Sequence, residues 1–185
     1  MAEFPEHPFW DFSLGVYMSE GVGPACLELQ DAHELDVNVL LFCMWLGASG
    51  RGTLDVAEMT TALGAVEAWH HDVVRGLRAV RVRMKGGMPL APDKLSESLR
   101  QRIQKAEIDC EHTEQLMLAG TIDRDADEWR AADARLADAV ANVATYFSAI
   151  AGVVKDADRS NLAHMLGFAF TDLDTGIVRE ACDSL

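Results

Sequence analysis

Apolar residues recur at steps of three and four along most of this chain, and strict alternation is almost absent. The pattern therefore predicts helices and no sheet. Pro5 and Pro8 precede a first helix from Phe9 to Met18, with Trp10, Leu14 and Tyr17 spaced along one face. Gly21 and Gly23 end it, and Pro24 suits the opening turn of a second helix over 24–33. Asp36 is placed to cap a third helix over 37–47, with Gly47 as its expected end. That helix is apolar nearly all round, which predicts the most buried position in the fold.

Val66, Trp69, Val73, Leu77, Val80 and Met84 predict a helix over 64–85 with this stripe turned inward. Leu95, Leu99, Ile103, Ala106, Cys110, Thr113 and Met117 share a face of a helix over 93–119, closed by Gly120. Trp129, Ala132, Leu136, Val140, Val143, Phe147, Ile150 and Val154 form a heptad seam, which predicts a helix over 126–155. The 93–119 and 126–155 helices are expected to pair as a long antiparallel hairpin, and short helices at 160–170 and 174–183 close the chain. The expected fold is an all-α, single-domain bundle of about seven helices spanning residues 1–185, centred on the 37–47 helix.

Composition fits that expectation and narrows the partners. A chain of 185 residues can bury a core without staples, and 49% apolar with 25% charged residues is ordinary for a globular domain. The net charge of -14 disfavours nucleic acid and anionic membranes. Residues 1–50 hold eight acids and no Lys or Arg, whereas residues 51–90 hold six bases against four acids. The four cysteines form no C-x-x-C pair and no zinc spacing, so reduced thiols are expected. The N-terminus lacks a basic segment of the secretory kind, and the apolar run at 39–46 is far shorter than the roughly 20 residues of a membrane span. A cytoplasmic protein is the expectation.

The segments FWDFSLGVY (9–17), ACLELQDAHELDVNVLLFCMWLG (25–47) and AWHHDVVRGLRAVRVRMK (68–85) occur in order. Together they resemble a bacterial family of conserved proteins of unknown function. Its pattern reads roughly FWxFSLxxY, CLxLQDxxGxDVNxLLFxxWLG and WxxxVVxPLRxxRxxLK. The chain departs from it at His33-Glu34-Leu35 and at Gly76. The resemblance implies an all-helical cytoplasmic protein and no particular activity. It places the family's polar motif on Gln30, Asp31, Asp36 and Asn38, and its basic motif on Arg75, Arg78 and Arg81.

Two groups could carry function. Gln30, Asp31, Asp36 and Asn38 sit at helix ends, where their first expected role is a joint between two helices. With Trp45 as an aromatic wall they also form a candidate pocket for a small ligand. Arg75, Arg78, Arg81 and Lys85 fall within about 120° of arc on one helix, a candidate docking face for an acidic partner or a phosphate. Glu67-x-x-His70 and Asp109-x-x-His112 have the spacing of helical metal ligands, but they lie off the expected inward faces, so no metal and no cofactor is expected. The expected role is a non-catalytic protein-interaction or adaptor protein, binding a protein partner or a second copy of itself; the alternative is a small-molecule-binding protein or enzyme with a pocket near residues 30–45.

Overall fold

The computed structural model describes residues 4–185. They form α1 (Pro8–Tyr17), α2 (Val22–His33), α3 (Val37–Ala48), α4 (Val56–Trp69), a π-helical turn (His70–Val74), α5 (Arg75–Met84), α6 (Asp93–Ala119), α7 (Ala132–Ala149), α8 (Asp156–Ala169) and α9 (Thr175–Cys182). No strand occurs among the described residues. Because α4, the π turn and α5 are continuous, the described residues form eight rods, close to the expected total of about seven and matching the eight segments that the periodicity marks out. No described helix is long and apolar enough to cross a membrane.

The expected centre is the observed one. Every residue of α3 from Asn38 to Gly47 is buried, and α1, α6, α7 and α8 all pack on it. Gly47 plays a different part from the one its position suggests. It lies inside α3 rather than after it, and a Cβ there would overlap the backbone of Ala139 in α7. Glycine thus lets two helices meet backbone to backbone, and Leu136, Val140, Val143 and Phe147 of α7 are buried beside it. Gly47→Ala is expected to destabilise the protein by about 1–3 kcal/mol. A thermal melt should fall by roughly 3–10 °C; an unchanged melt would mean that α7 can back away.

Three expectations change. The first helix half of 64–85 starts earlier, because Asp55 and Glu58 form a reciprocal capping box that opens α4 at Val56. The heptad helix is shorter than 126–155. Trp129 is almost fully exposed, and beyond Ala149 the chain turns through Ala151 at φ 53° with Gly152 N–H donating to the Phe147 carbonyl. Finally, α7 packs mainly on α3, while α6 packs mainly on α5. The helical hairpin that forms is therefore α5 with α6, since the seam of α7 is already occupied by the all-apolar α3.

The face of α6 is also reversed. Leu95 and Leu99 of the expected inner stripe are exposed, and Ile103, Ala106, Cys110, Thr113 and Met117 are only partly covered. The buried residues are Ser96, Glu107, His112, Glu114, Gln115 and Leu118. A helix that turns carboxylates inward must find partners for them, and those partners define the site.

Candidate functional site

Three helices and the π turn supply a buried polar cluster. Asp36 caps α3 with one oxygen, Oδ1 accepting the Asn38 N–H at 2.8 Å. Its other oxygen, Oδ2, is 3.0 Å from His70 Nδ1. The Asp36 backbone N–H donates to the Tyr146 hydroxyl at 2.7 Å, which ties the joint to α7. Glu114, fully buried in α6, accepts from Asn38 Nδ2 on Oε2 at 2.7 Å and lies 3.0 Å from His70 Nδ1 through Oε1. Asn38 in turn accepts from Gln115 Nε2 at 2.9 Å, whereas Gln115 Oε1 is buried without a hydrogen-bond partner.

His70 reaches this point because it opens the π turn. A π turn holds an extra residue, so the face presented by the helix shifts there. The buried valine is Val74 and not Val73, the position that an unbroken stripe would bury. Desolvation opposes a charged imidazole, but the hydrogen bonds and charges of Asp36 and Glu114 outweigh it and push the His70 pKa up to about 9. Burial, reinforced by the nearby Asp36 charge, pushes the Glu114 carboxyl up to about 7, against the opposing pull of His70.

A second network lies beside the first. Arg78 donates from Nε to Glu107 at 3.0 Å, from Nη1 to Gln30 at 2.6 Å and from Nη2 to Glu111 at 2.6 Å. Arg81 also binds Glu107 through Nε and Nη2. Burial alone would raise the Glu107 carboxyl, but these two guanidinium groups hold it below the usual range. Glu111 has only Arg78, and burial leaves its pKa raised. A cleft of about 360 Å³ opens over both networks, lined by Gln30, Asp31, His70, Arg75 and Arg78 among others.

The residues read from sequence therefore part company. Gln30, Asp36 and Asn38 belong to the networks, and Asp31 lines the cleft. Trp45 does not line it: the indole stacks on Phe9 at 5.0 Å, with Arg51 over its ring at 4.4 Å. Of the basic stripe, Arg78 and Arg81 are engaged by acids of α6, while Arg75 and Lys85 take part in no ion pair among the described residues. Neither spaced metal pair assembles. Glu67 is exposed, and His112 stacks on Trp10 at 4.1 Å. His70 instead meets carboxylates from α6 and from the start of α3. Glu107, Glu111 and Glu114 were missed, although acids at steps of four and three on one helix face were the available signal.

A family model described as "Protein of unknown function (DUF2390)" matches residues 8–118, more than half of the chain. The chain belongs to this family. Every member of the two networks lies within the match except Tyr146. No curated protein and no solved structure is found to match.

Positive charge gathers on α5 and the first half of α6. Residues 73–105 hold nine Lys and Arg and two acids, a net +7, and Glu107, Asp109, Glu111 and Glu114 in the rest of α6 bring the hairpin through Ala119 to +3. No residue of α5 is buried, and Ser96 is the one buried residue of α6 before Glu107. Val80, Val82, Leu95 and Leu99 are all about half exposed or more on this hairpin.

Proposed function

We propose that this protein is a non-catalytic interaction module whose α5–α6 hairpin docks an acidic protein partner. The supporting observation is the run of nine Lys and Arg against two acids over residues 73–105, on α5 and the first half of α6. Arg75, Arg83, Lys85, Lys94, Arg102 and Lys105 on that hairpin have no ion-pair partner among the described residues. Exposed Val80, Val82, Leu95 and Leu99 add the apolar contact that a protein interface needs at its centre. Pairing two copies hairpin to hairpin would oppose two positive surfaces, so the fitting partner presents carboxylates around apolar side chains. The chain's net charge of -14 opposes nucleic acid and anionic lipid as partners. Four free cysteines, three of them buried, fit a reducing, cytoplasmic setting.

The test is cross-linking capture from the source cells with wild type and with Arg83→Glu/Arg102→Glu, which leaves both buried networks intact. Wild type should capture an acidic protein that the variant loses while keeping its circular dichroism. The purified partner should rebind wild type with an affinity that falls as salt rises. Capture of the same proteins by the variant would sink the reading. A charge-dependent dimer in light scattering would assign the hairpin to a second copy instead.

A second reading, a small-molecule site, is favoured by one observation: the cleft over His70 reaches the buried carboxylates through that ring.

A further inference from the structure

We propose that Asp36, His70 and Glu114 form a binding site for one divalent transition-metal ion of the zinc type. Their ligand atoms converge within 4.8 Å of one another. His70 Nδ1 stands 3.0 Å from Asp36 Oδ2 and 3.0 Å from Glu114 Oε1. Two ligand atoms each about 2.1 Å from one ion, at 90–110° to each other, are separated by roughly 3.0–3.4 Å. The imidazole thus stands from each carboxylate at the spacing of neighbouring positions in a coordination sphere.

Preorganisation separates this cluster from a chance gathering of acids. Each carboxylate has one oxygen held by the protein and the other turned to the shared point. Asn38 does both jobs: its backbone N–H holds Asp36 Oδ1, and its side-chain amide holds Glu114 Oε2. Gln115 fixes Asn38, and the Tyr146 hydroxyl fixes the Asp36 backbone. Backing of this kind is what orients metal ligands in proteins. The helix departs from α geometry at His70, where the π turn begins, and such turns recur at functional sites. The cleft lined by His70, Gln30 and Asp31 supplies a route in.

Charge and ligand type name the ion. Two carboxylates and a neutral imidazole balance a divalent cation. One nitrogen with two oxygens suits zinc, manganese or iron(II) better than the all-oxygen shells of magnesium and calcium. Three protein ligands leave at least one position for water on the cleft side.

The probes are Zn2+ by calorimetry and Co2+ by visible absorbance, added to the chelator-treated full chain. One ion per chain is expected, with cobalt d–d bands and no sulfur charge-transfer band, which excludes Cys110 as the ligand. His70→Ala and Glu114→Gln should each weaken binding about 100-fold or more. Zn2+ should raise the melting temperature of wild type and not of either variant. If Glu114→Gln does not fold, His70→Ala and His70→Gln carry the comparison, because the ring is partly exposed. Absence of binding, binding unchanged in the His70 variants, or Mg2+ binding tighter than Zn2+ would each overturn the proposal. None of these results depends on the α5–α6 docking face.

Discussion

Arg78→Ala is expected to lower the stability of the protein by about 2–4 kcal/mol, a fall of roughly 5–15 °C in melting temperature. Arg78 is the one side chain that joins α5 to Glu107, Gln30 and Glu111 at once. Without it Glu107 keeps Arg81, but Glu111 loses its base and the Gln30 side-chain oxygen loses its donor. A carboxylate left underground without a counter-charge is what makes removal of one partner expensive. The side chain keeps about a quarter of its exposure, 27%, so the expected cost lies below the roughly 3–5 kcal/mol of a fully buried pair. Arg78→Lys should recover only part of the loss, since an ammonium cannot reach three acceptors in a fixed fork. Arg83→Ala, on the exposed side of the same helix, should change stability by no more than about 0.5 kcal/mol. Equal melts for Arg78→Ala and Arg83→Ala would mean that the network is ornamental.

The metal-free protein should lose stability as pH rises from about 6.5 to 9, and His70→Gln should remove that slope. The folded state raises His70 from 6.5 to about 9, so its contribution is fully present below 6.5 and is lost as pH climbs through 9. Glu114 acts in the same sense at lower pH: its raised value means that stability falls from about 4.5 through 7 as its proton leaves. Glu107, held low by Arg81 and Arg78, has the opposite sign and contributes above 4.5 until acid removes it. The His70 part is worth about 1–2 kcal/mol, since the ring is partly open to solvent. Urea melts at pH 6 and pH 9.5 in the presence of a chelator make the comparison. Wild type should exceed His70→Gln at pH 6 and converge with it at 9.5; parallel profiles would remove His70 from the account.

What could be read along the chain was whatever depends on neighbours in sequence. Asp36 before an apolar run is a local cap, and α3 declared its central place because no face of it is polar. The box of Asp55 and Glu58 was equally local and would have placed the start of α4. Contacts between distant positions stayed hidden. His70 suggested Glu67, three residues away, yet it meets Asp36 and Glu114, which lie 34 and 44 residues from it. Apolar periodicity misread α6, because Glu107 and Glu114 are buried by ion pairing and hydrogen bonding while Leu95 and Leu99 face solvent. The π turn broke the phase of the 66–84 stripe, and a count at 100° per residue cannot see such an insertion.

Nine Lys and Arg against two acids over residues 73–105, on a chain of net charge -14, make the molecule an electric dipole with α5 and the first half of α6 at its positive end. A dipole turns before it touches. In the field of any strongly charged neighbour the protein rotates over distances of about one Debye length, ~8–10 Å at physiological salt. Its encounters are therefore not random in orientation: an acidic surface meets the 73–105 segment first.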